Sequence, residues 1–491
     1  MKNVHSKILF FLALSIPGLL ISQSNASRLD SLFSHLRTNE AALRIFFSAM
    51  PKGGDLHHHY SGSIYAEKYI EKAKSANAWI NEVTLEINFD SSGTLMDKEW
   101  KKFLTLEKEI GEYAFQQILL KHLSSKDYSR SDGITSYDDF FETFNRFGTS
   151  KNQISNSSGL LWLKQNAIHQ KVSYIETMLE TIPCGKLPEV FNHLNDSLLI
   201  YQALNDTTKL FNLFNTLKNS LLNKSNKLCL ENYLKELEKE HKRLQIDDSL
   251  FTLRYQTYVL RTLPPIQVLS QMINSFEAAK EDTLLVGINM VAPEHHPMAL
   301  RDYRLHMRMF QYCTKTWPNV SVSLHAGELS EGLVSPENLH FHIQEAVDIA
   351  GANRIGHGTA LAFEQDVLSL IERMKAKKTI VEINYLSNRF ILGSTHKNHP
   401  LYLYHKAKIP IVICTDDAGV LRTDHNGEFI QIALDFPGLT YTDFKEFAFN
   451  SINHSFIKGI EVRTRLLQKL KRDFTYFEHH FLEQHRNIFG K

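Results

Sequence analysis

Eight short apolar runs, most of them separated by amphipathic helical stretches, set the narrowest limit on how this 491-residue chain can fold. The first four read GDLHHH (54–59), VSYIETML (172–179), LRYQTYVLR (253–261) and LLVGINMV (284–291). The next four read VSVSLHAGE (320–328), RIGHGT (354–359), TIVEINYLS (379–387) and IPIVICTDD (409–417). Strands alternating with helices build a parallel sheet, and eight such units can close into a (β/α)8 TIM barrel. A doubly wound open sheet is the rival architecture. Helix signals lie between the runs: SPENLHFHIQEAVDIAG (335–351) places Gly351 as a C-cap. Before the first run, Leu29, Leu32, Phe33 and Leu36 predict a helix over 27–49.

Two segments exceed ordinary connections. Residues near 65–150 and 185–250 read as helical insertions in a single catalytic domain spanning 27–491, because no Pro/Gly/Ser-rich boundary divides the chain. Residues 1–26 read as a signal peptide. Lys2 and Lys7 precede the apolar ILFFLALSIPGLLI (8–21), and SNA (24–26) supplies small residues for cleavage after Ala26. The expectation is an exported protein, periplasmic or secreted. No later run reaches the ~20 apolar residues of a membrane span. A net charge of +1 suggests neither nucleic acid nor an anionic membrane as partner. Of four cysteines, Cys184 and Cys229 are a candidate pair, and Cys414 reads as a buried thiol.

Barrel enzymes build their sites at the carboxyl ends of the strands, so the polar residues there carry the functional signal. His57 and His59 are two apart and share one face of the first strand, while His58 faces the other way. Alone, HHH reads equally as a polar loop. The fifth run ends in His325, followed across Gly327 by Glu328. His357 stands between two glycines, and the eighth run ends in Asp416 and Asp417. Asp417 could instead cap the next helix, with Asp416 solvated. Taken together, His57, His59, His325 and Asp416 offer three nitrogens and one oxygen to one barrel mouth. Such a set suits one zinc ion per chain with room for a water. His357 and Glu328 are left as the acid/base pair of a hydrolysis.

The motifs MPKGGDLHHHYSGS, SLHAGE, RIGHGTAL and CTDDAG, in this order on strands one, five, six and eight, resemble the adenosine deaminase family of metal-dependent (β/α)8 hydrolases. The similarity runs from about 45 to 460 and includes exported, growth-factor-like members and bacterial relatives. The resemblance implies zinc on His57, His59, His325 and Asp416. It also implies protonation of purine N1 by Glu328, with His357 orienting and deprotonating the attacking water. Asp417 would reach N7 and Gly327 would lie beside the ring. The implied reaction converts adenosine or 2′-deoxyadenosine to the 6-oxo nucleoside and ammonia.

There are departures. Where an acidic residue often meets the ribose, this chain offers Ser61 and Gly62; Ala292 replaces a usual glycine, and Asn289 a usual aspartate. Phe144 and Phe147 could roof the ring or belong to helix core. The cytidine-deaminase zinc signature is absent. Adenine, another aminopurine, or an exported zinc-binding signalling role with little turnover stay open as alternatives. So does the oligomeric state, a dimer included.

Overall fold

The computed structural model describes residues 16–89, 99–129, 131, 133–147 and 156–489. All eight expected runs are strands: β1 Gly53–His59, β2 Val172–Glu180, β3 Thr252–Leu260 and β4 Leu285–Val291, then β5 Ser321–Ala326, β6 Arg354–His357, β7 Ile380–Ile383 and β8 Ile411–Ile413. Each pairs in parallel with the next in chain order. The ring closes through a parallel bridge between His58 and Asp416. There the His59 amide donates to Asp416 O at 3.1 Å and the Asp416 amide to His57 O at 3.0 Å. The closing bond therefore joins the two residue pairs that the sequence marks as chemical.

Both faces of the strands are buried, which is why the runs read as continuous rather than alternating hydrophobicity. Helices cover the outside. His296 caps Pro297–Thr316, and Gly351 ends its helical segment at φ +74°, a conformation that suits glycine. Inside the barrel the apolar pattern conceals a buried ionic layer. Arg354 contacts Glu176 at 2.7 Å and Glu382 at 2.6 Å, with its guanidinium 3.5 Å over the Phe456 ring. Paired charges of this kind are tolerated at such depth, where a lone one would be very costly.

The helix expected over 27–49 is two, Ile16–Leu36 and Glu40–Ala49, because the Asn39 side chain accepts from Ala42 N and starts a new helix. The signal peptide expected over 1–26 lies mostly outside the described residues; 16–26 begin the first of these helices. No described helix is long and apolar enough to cross a membrane. The first insertion carries the helices Ala66–Ser75, Phe103–Ile110, Glu112–His122 and Ser136–Arg146. It also holds a three-stranded antiparallel sheet of Trp79–Asn81, Ile87–Asn88 and Trp100–Lys102. Strands of two or three residues leave no readable period. Among the described residues of the second insertion, the long helices are Leu194–Ala203, Thr207–Leu221 and Lys224–Arg243.

Cys184 and Cys229 form a disulfide across 45 residues, tying the last of these helices to the loop after β2. Cys313 and Cys414 are free and buried. Closing so long a loop restrains the unfolded chain by about 3–4 kcal/mol in the entropic account. The C184S/C229S double variant should therefore unfold several degrees below wild type by calorimetry, and reductant should lower the wild type alone. Equal midpoints in all samples would deny the bridge a stabilising role.

Candidate active site and metal centre

At the carboxyl mouth of the barrel, side chains from β1, β5 and the end of β8 converge on one point. His57 Nε2 lies 3.0 Å from His325 Nε2, and His59 Nε2 lies 3.2 Å from the same atom. Asp416 Oδ1 is 3.4 Å from His57 Nε2 and 3.2 Å from His59 Nε2. Ligands held about 2.0–2.1 Å from a tetrahedral centre sit about 3.3–3.4 Å from each other, so these four contacts have the right spacing for a small cation; within 4.8 Å of one another the structure groups His57, His325 and Asp416 with His357, and His59 with Asp416 and Asp417. Protonation favours the same conclusion. His57 Nδ1 faces Glu382 Oε2 at 2.7 Å, and His325 Nδ1 faces Asn289 Oδ1 at 2.8 Å. Each Nδ1 thus has an acceptor for its hydrogen, which turns the two Nε2 atoms toward the shared centre, where either a proton or a cation must lie between them.

The local electrostatics also ask for positive charge. Burial pulls the His57 pKa down, but hydrogen bonds to Asp416 and Glu382 prevail and push it up to about 10. Burial, then the neighbouring His57, depress His325 well below the imidazole range. Asp416 has its second oxygen held by Ser387 Oγ at 2.6 Å and a backbone φ of +58°, an uncommon conformation for a non-glycine residue. His58, as expected, faces away and meets Thr177 Oγ1 at 2.9 Å.

Glu382 and Ser387 escaped the sequence reading. Glu382 is fully buried, accepts from Ser323 Oγ and pairs with Arg354. Burial opposes its charge, yet Arg354 and His57 keep its pKa below the ordinary carboxylate value. An acidic residue inside the otherwise apolar run TIVEI was the available signal.

Glu328 and His357 meet beside the donor cluster, with Glu328 Oε1 3.5 Å from His357 Nδ1. Burial, then the charges of Asp416 and Glu294, raise the Glu328 pKa well above the ordinary carboxylate value and favour its protonated form. Burial pushes His357 down to about 3, and the ring is neutral. Asp417 is likewise raised, by burial and then by Asp416, and its Oδ1 is buried without a hydrogen-bond partner among the described residues. It stands at the start of the helix Ala418–Leu421 but makes no capping bond, which removes the helix-cap alternative.

Glu294, also missed in sequence, holds the turn that presents Glu328. Its two oxygens accept from Gly327 N at 3.0 Å and Glu328 N at 2.8 Å, while His342 Nδ1 lies 2.6 Å away. A Gln there can accept from only one of the two amides. Leaving one buried N–H unpaired costs about 1–3 kcal/mol, so E294Q should lose about ten- to a hundredfold in kcat with KM little changed. Wild-type kcat in folded E294Q would show that the turn needs no such clamp.

The remaining candidates fare unevenly. Gly327 has φ +72°, and a Cβ there would fall 2.7 Å from Ile343 Cγ1. Gly62 is needed for a different reason than contact with a ligand: a Cβ on it would lie 1.6 Å from Asp417 Oδ1, so its bareness seats Asp417. The Ser61 carbonyl accepts from Tyr69 Oη at 2.8 Å, and its side chain is partly exposed beside the mouth. Phe147 is core, stacked on Tyr69 at 4.5 Å. Phe144 is partly buried against Phe140 and Phe147, on a helix that packs over the helices following β7 and β8.

With that geometry in view, comparison with known proteins is decisive. The family model described as "Adenosine deaminase" matches residues 215–473, more than half of the chain. The chain belongs to the adenosine deaminase family. An adenosine deaminase of Clostridium perfringens is 29% identical over 136 residues, which is 28% of this chain and 37% of that relative. The chain therefore matches this curated relative over little more than a third of its length. Among solved structures, the apo N6-methyl-AMP deaminase from Arabidopsis thaliana superimposes with a TM-score of 0.53 at 16% identity, covering 87% of this chain and 98% of that one. An amidohydrolase from Burkholderia ambifaria with bound Zn gives 0.52 at 14% identity, covering 90% and 94%. These two likenesses establish the barrel.

Set in the adenosine deaminase family, the departures acquire structural meaning. Asn289 keeps the acceptor behind His325 but makes it neutral. Ala292 adopts φ +78°, so the backbone shape that favours glycine is kept despite the added methyl group. The first histidine pair lies before the matched region, and only the closed barrel brings it to His325 and Asp416.

Proposed function

We propose that this protein is a zinc-dependent hydrolase that removes the 6-amino group of adenosine or 2′-deoxyadenosine as ammonia. The observation that carries the reading is the pairing of a three-nitrogen, one-oxygen donor set with a buried carboxyl, Glu328, 3.5 Å from His357 at the same mouth. His57, His59, His325 and Asp416 would hold the cation, and this ligand set suits zinc. The Burkholderia ambifaria neighbour's bound Zn supports the choice of metal. When bound there, the cation supplies Lewis acidity that lowers the pKa of a water toward ~7.

The chain's own residues do the rest. Glu328 gives its proton to purine N1, which draws electrons from C6 and opens that carbon to attack. Asp417, whose pKa burial and Asp416 raise, donates to N7 in its protonated form and fixes the ring in plane. Gly327, without a side chain, lets the ring lie flat against the turn. His357, buried and neutral, faces the oxygen that joins C6. Water adds its oxygen to C6; one of its protons leaves with the amino group as ammonia, the other restores the Glu328 carboxyl, and the 6-oxo purine keeps the proton placed on N1.

A nucleoside fits better than a nucleotide. The motifs that build the mouth bring no cluster of Lys or Arg side chains to receive a 5′-phosphate. We also propose export, which the Cys184–Cys229 disulfide supports, since such bonds persist in oxidising compartments. N-terminal sequencing of the mature protein should begin after Ala26.

The test is purified, zinc-loaded protein offered adenosine, 2′-deoxyadenosine, adenine, AMP and N6-methyl-AMP, with loss of the aminopurine absorbance followed. Turnover of the two nucleosides well above the rest is expected. Preference for adenine or a nucleotide would move the substrate assignment. No deamination of any of them by metal-replete protein would reject the enzymatic reading in favour of zinc-dependent binding or signalling.

A further inference from the structure

We infer that Asn388 and His399 act as positioning residues that fix the hydrogen of His357 on Nε2, so that this ring meets the reaction centre as a hydrogen-bond donor. One donor near this ring has a sense beyond choice. The backbone amide of Leu401 donates to His399 Nδ1 at 3.2 Å. Nδ1 of His399 must therefore carry a lone pair. The ring is buried, and burial pushes its pKa down to about 3, so it is neutral and its one hydrogen sits on Nε2.

That Nε2–H lies 3.2 Å from the Asn388 side chain and requires an acceptor, which identifies the facing atom as Oδ1. The other end of the same amide is then the NH2 group, and Nδ2 lies 2.8 Å from His357 Nδ1. An NH2 can only donate, so His357 Nδ1 is an acceptor. A neutral imidazole with a bare Nδ1 carries its hydrogen on Nε2. Asn388, His399 and His357 are all buried, so water does not compete for these bonds.

The remaining contacts agree with this chain. Asn384 Nδ2 is 3.4 Å from both ring nitrogens, a side-on approach that ties up neither lone pair. Glu328 Oε1 stands 3.5 Å from Nδ1, beyond the 2.8 Å bond that Asn388 gives the same nitrogen. Nε2 is the nitrogen left for the donor cluster, where His357 has an atom within 4.8 Å of His57, His325 and Asp416 donors.

The consequence for catalysis rests on the deaminase reading; the position of the hydrogen does not. In the resting enzyme, His357 holds the incoming oxygen by giving it a hydrogen bond and keeps that bond as charge grows on it. The sequence expectation was the reverse, a ring with a free lone pair that takes the water's proton.

The experiment is a long-range proton–nitrogen correlation spectrum of the full-length, zinc-loaded protein labelled with nitrogen-15 histidine, His357 being identified by the signal missing from H357Q. A bare Nδ1 and a protonated Nε2 are expected between about pH 6 and 8. The opposite tautomer, or a doubly protonated ring, in the wild type overturns the inference whatever the activity. In N388D the carboxylate accepts and cannot donate, so the hydrogen should move to Nδ1. With it kcat should fall about a hundredfold or more, as wrong-tautomer variants do, while KM moves less than about threefold. H399Q, which keeps an amide donor toward Asn388, should retain most of the activity. If N388D shifts neither the tautomer nor kcat, the positioning role falls. If N388D does not fold, the wild-type spectrum still decides. A wild-type spectrum with Nε2–H in a protein that deaminates no purine would keep this inference and reject the proposed function.

Discussion

Glu328→Gln should leave one equivalent of metal bound and cut turnover by about a hundred- to ten-thousandfold, the usual worth of a positioned general acid. The amide has almost the shape of the acid and Glu328 is not one of the four donor residues, so the metal centre has no reason to empty. It cannot release a proton to N1, and C6 then stays electron-rich. The pH profile separates this from simple disturbance of the fold. Glu328 acts in its protonated form, and burial together with Asp416 and Glu294 sets its pKa well above the ordinary value. Activity in the wild type is therefore present below that raised pKa and lost as pH climbs through it. In E328Q the residual rate should show no such alkaline limb. Metal content is read by atomic emission and rate by absorbance. Wild-type activity in E328Q, or a limb unchanged by the substitution, would remove Glu328 from the proton-donor role.

The parts of this molecule legible in its sequence are those where local chemistry and long-range placement coincide. Every barrel strand announces itself, because a strand buried on both faces must be apolar throughout, and its terminal polar residues stand out against that run. His57, His59, His325 and Asp416 fall in this class, as do Glu328 and His357. The residues that escaped notice act through shape rather than type. Glu294 follows a proline in a loop, and only the folded turn brings its carboxylate to the amides of Gly327 and Glu328. Asn388 and His399 sit in and after a helix where nothing in the spacing sets them apart, yet they control a ring from another strand. Gly62 was legible as a glycine but not as the space that Asp417 occupies. The buried Arg354–Glu176–Glu382 layer was hidden for a related reason: its members are single polar residues in apolar strands, and a single residue does not break a hydrophobic period.

Asp416→Ala should empty the metal centre, and the reason lies in how the donors hold one another. Asp416 is the single carboxylate in the four-donor set, and its Oδ1 stands within 3.4 Å of His57 Nε2 and 3.2 Å of His59 Nε2. Without it, three neutral imidazoles remain, and a dication loses its one compensating charge. The backbone adds to the effect: Asp416 is held at φ +58° by the bonds that close the barrel, which fixes its carboxylate toward the donor cluster. Asp417, one residue on, has its Oδ1 seated against Gly62 instead. The variant should fall from one metal per chain to well under half, with turnover down by at least about a thousandfold. Because metal that binds only the folded state stabilises it, by about 4 kcal/mol at a thousandfold excess over Kd, the wild type should also melt lower after chelation. D416A should melt near the chelated wild type and ignore added chelator. A variant that keeps full metal stoichiometry and still responds to chelation would take Asp416 out of the ligand set and return it to the role of closing the barrel.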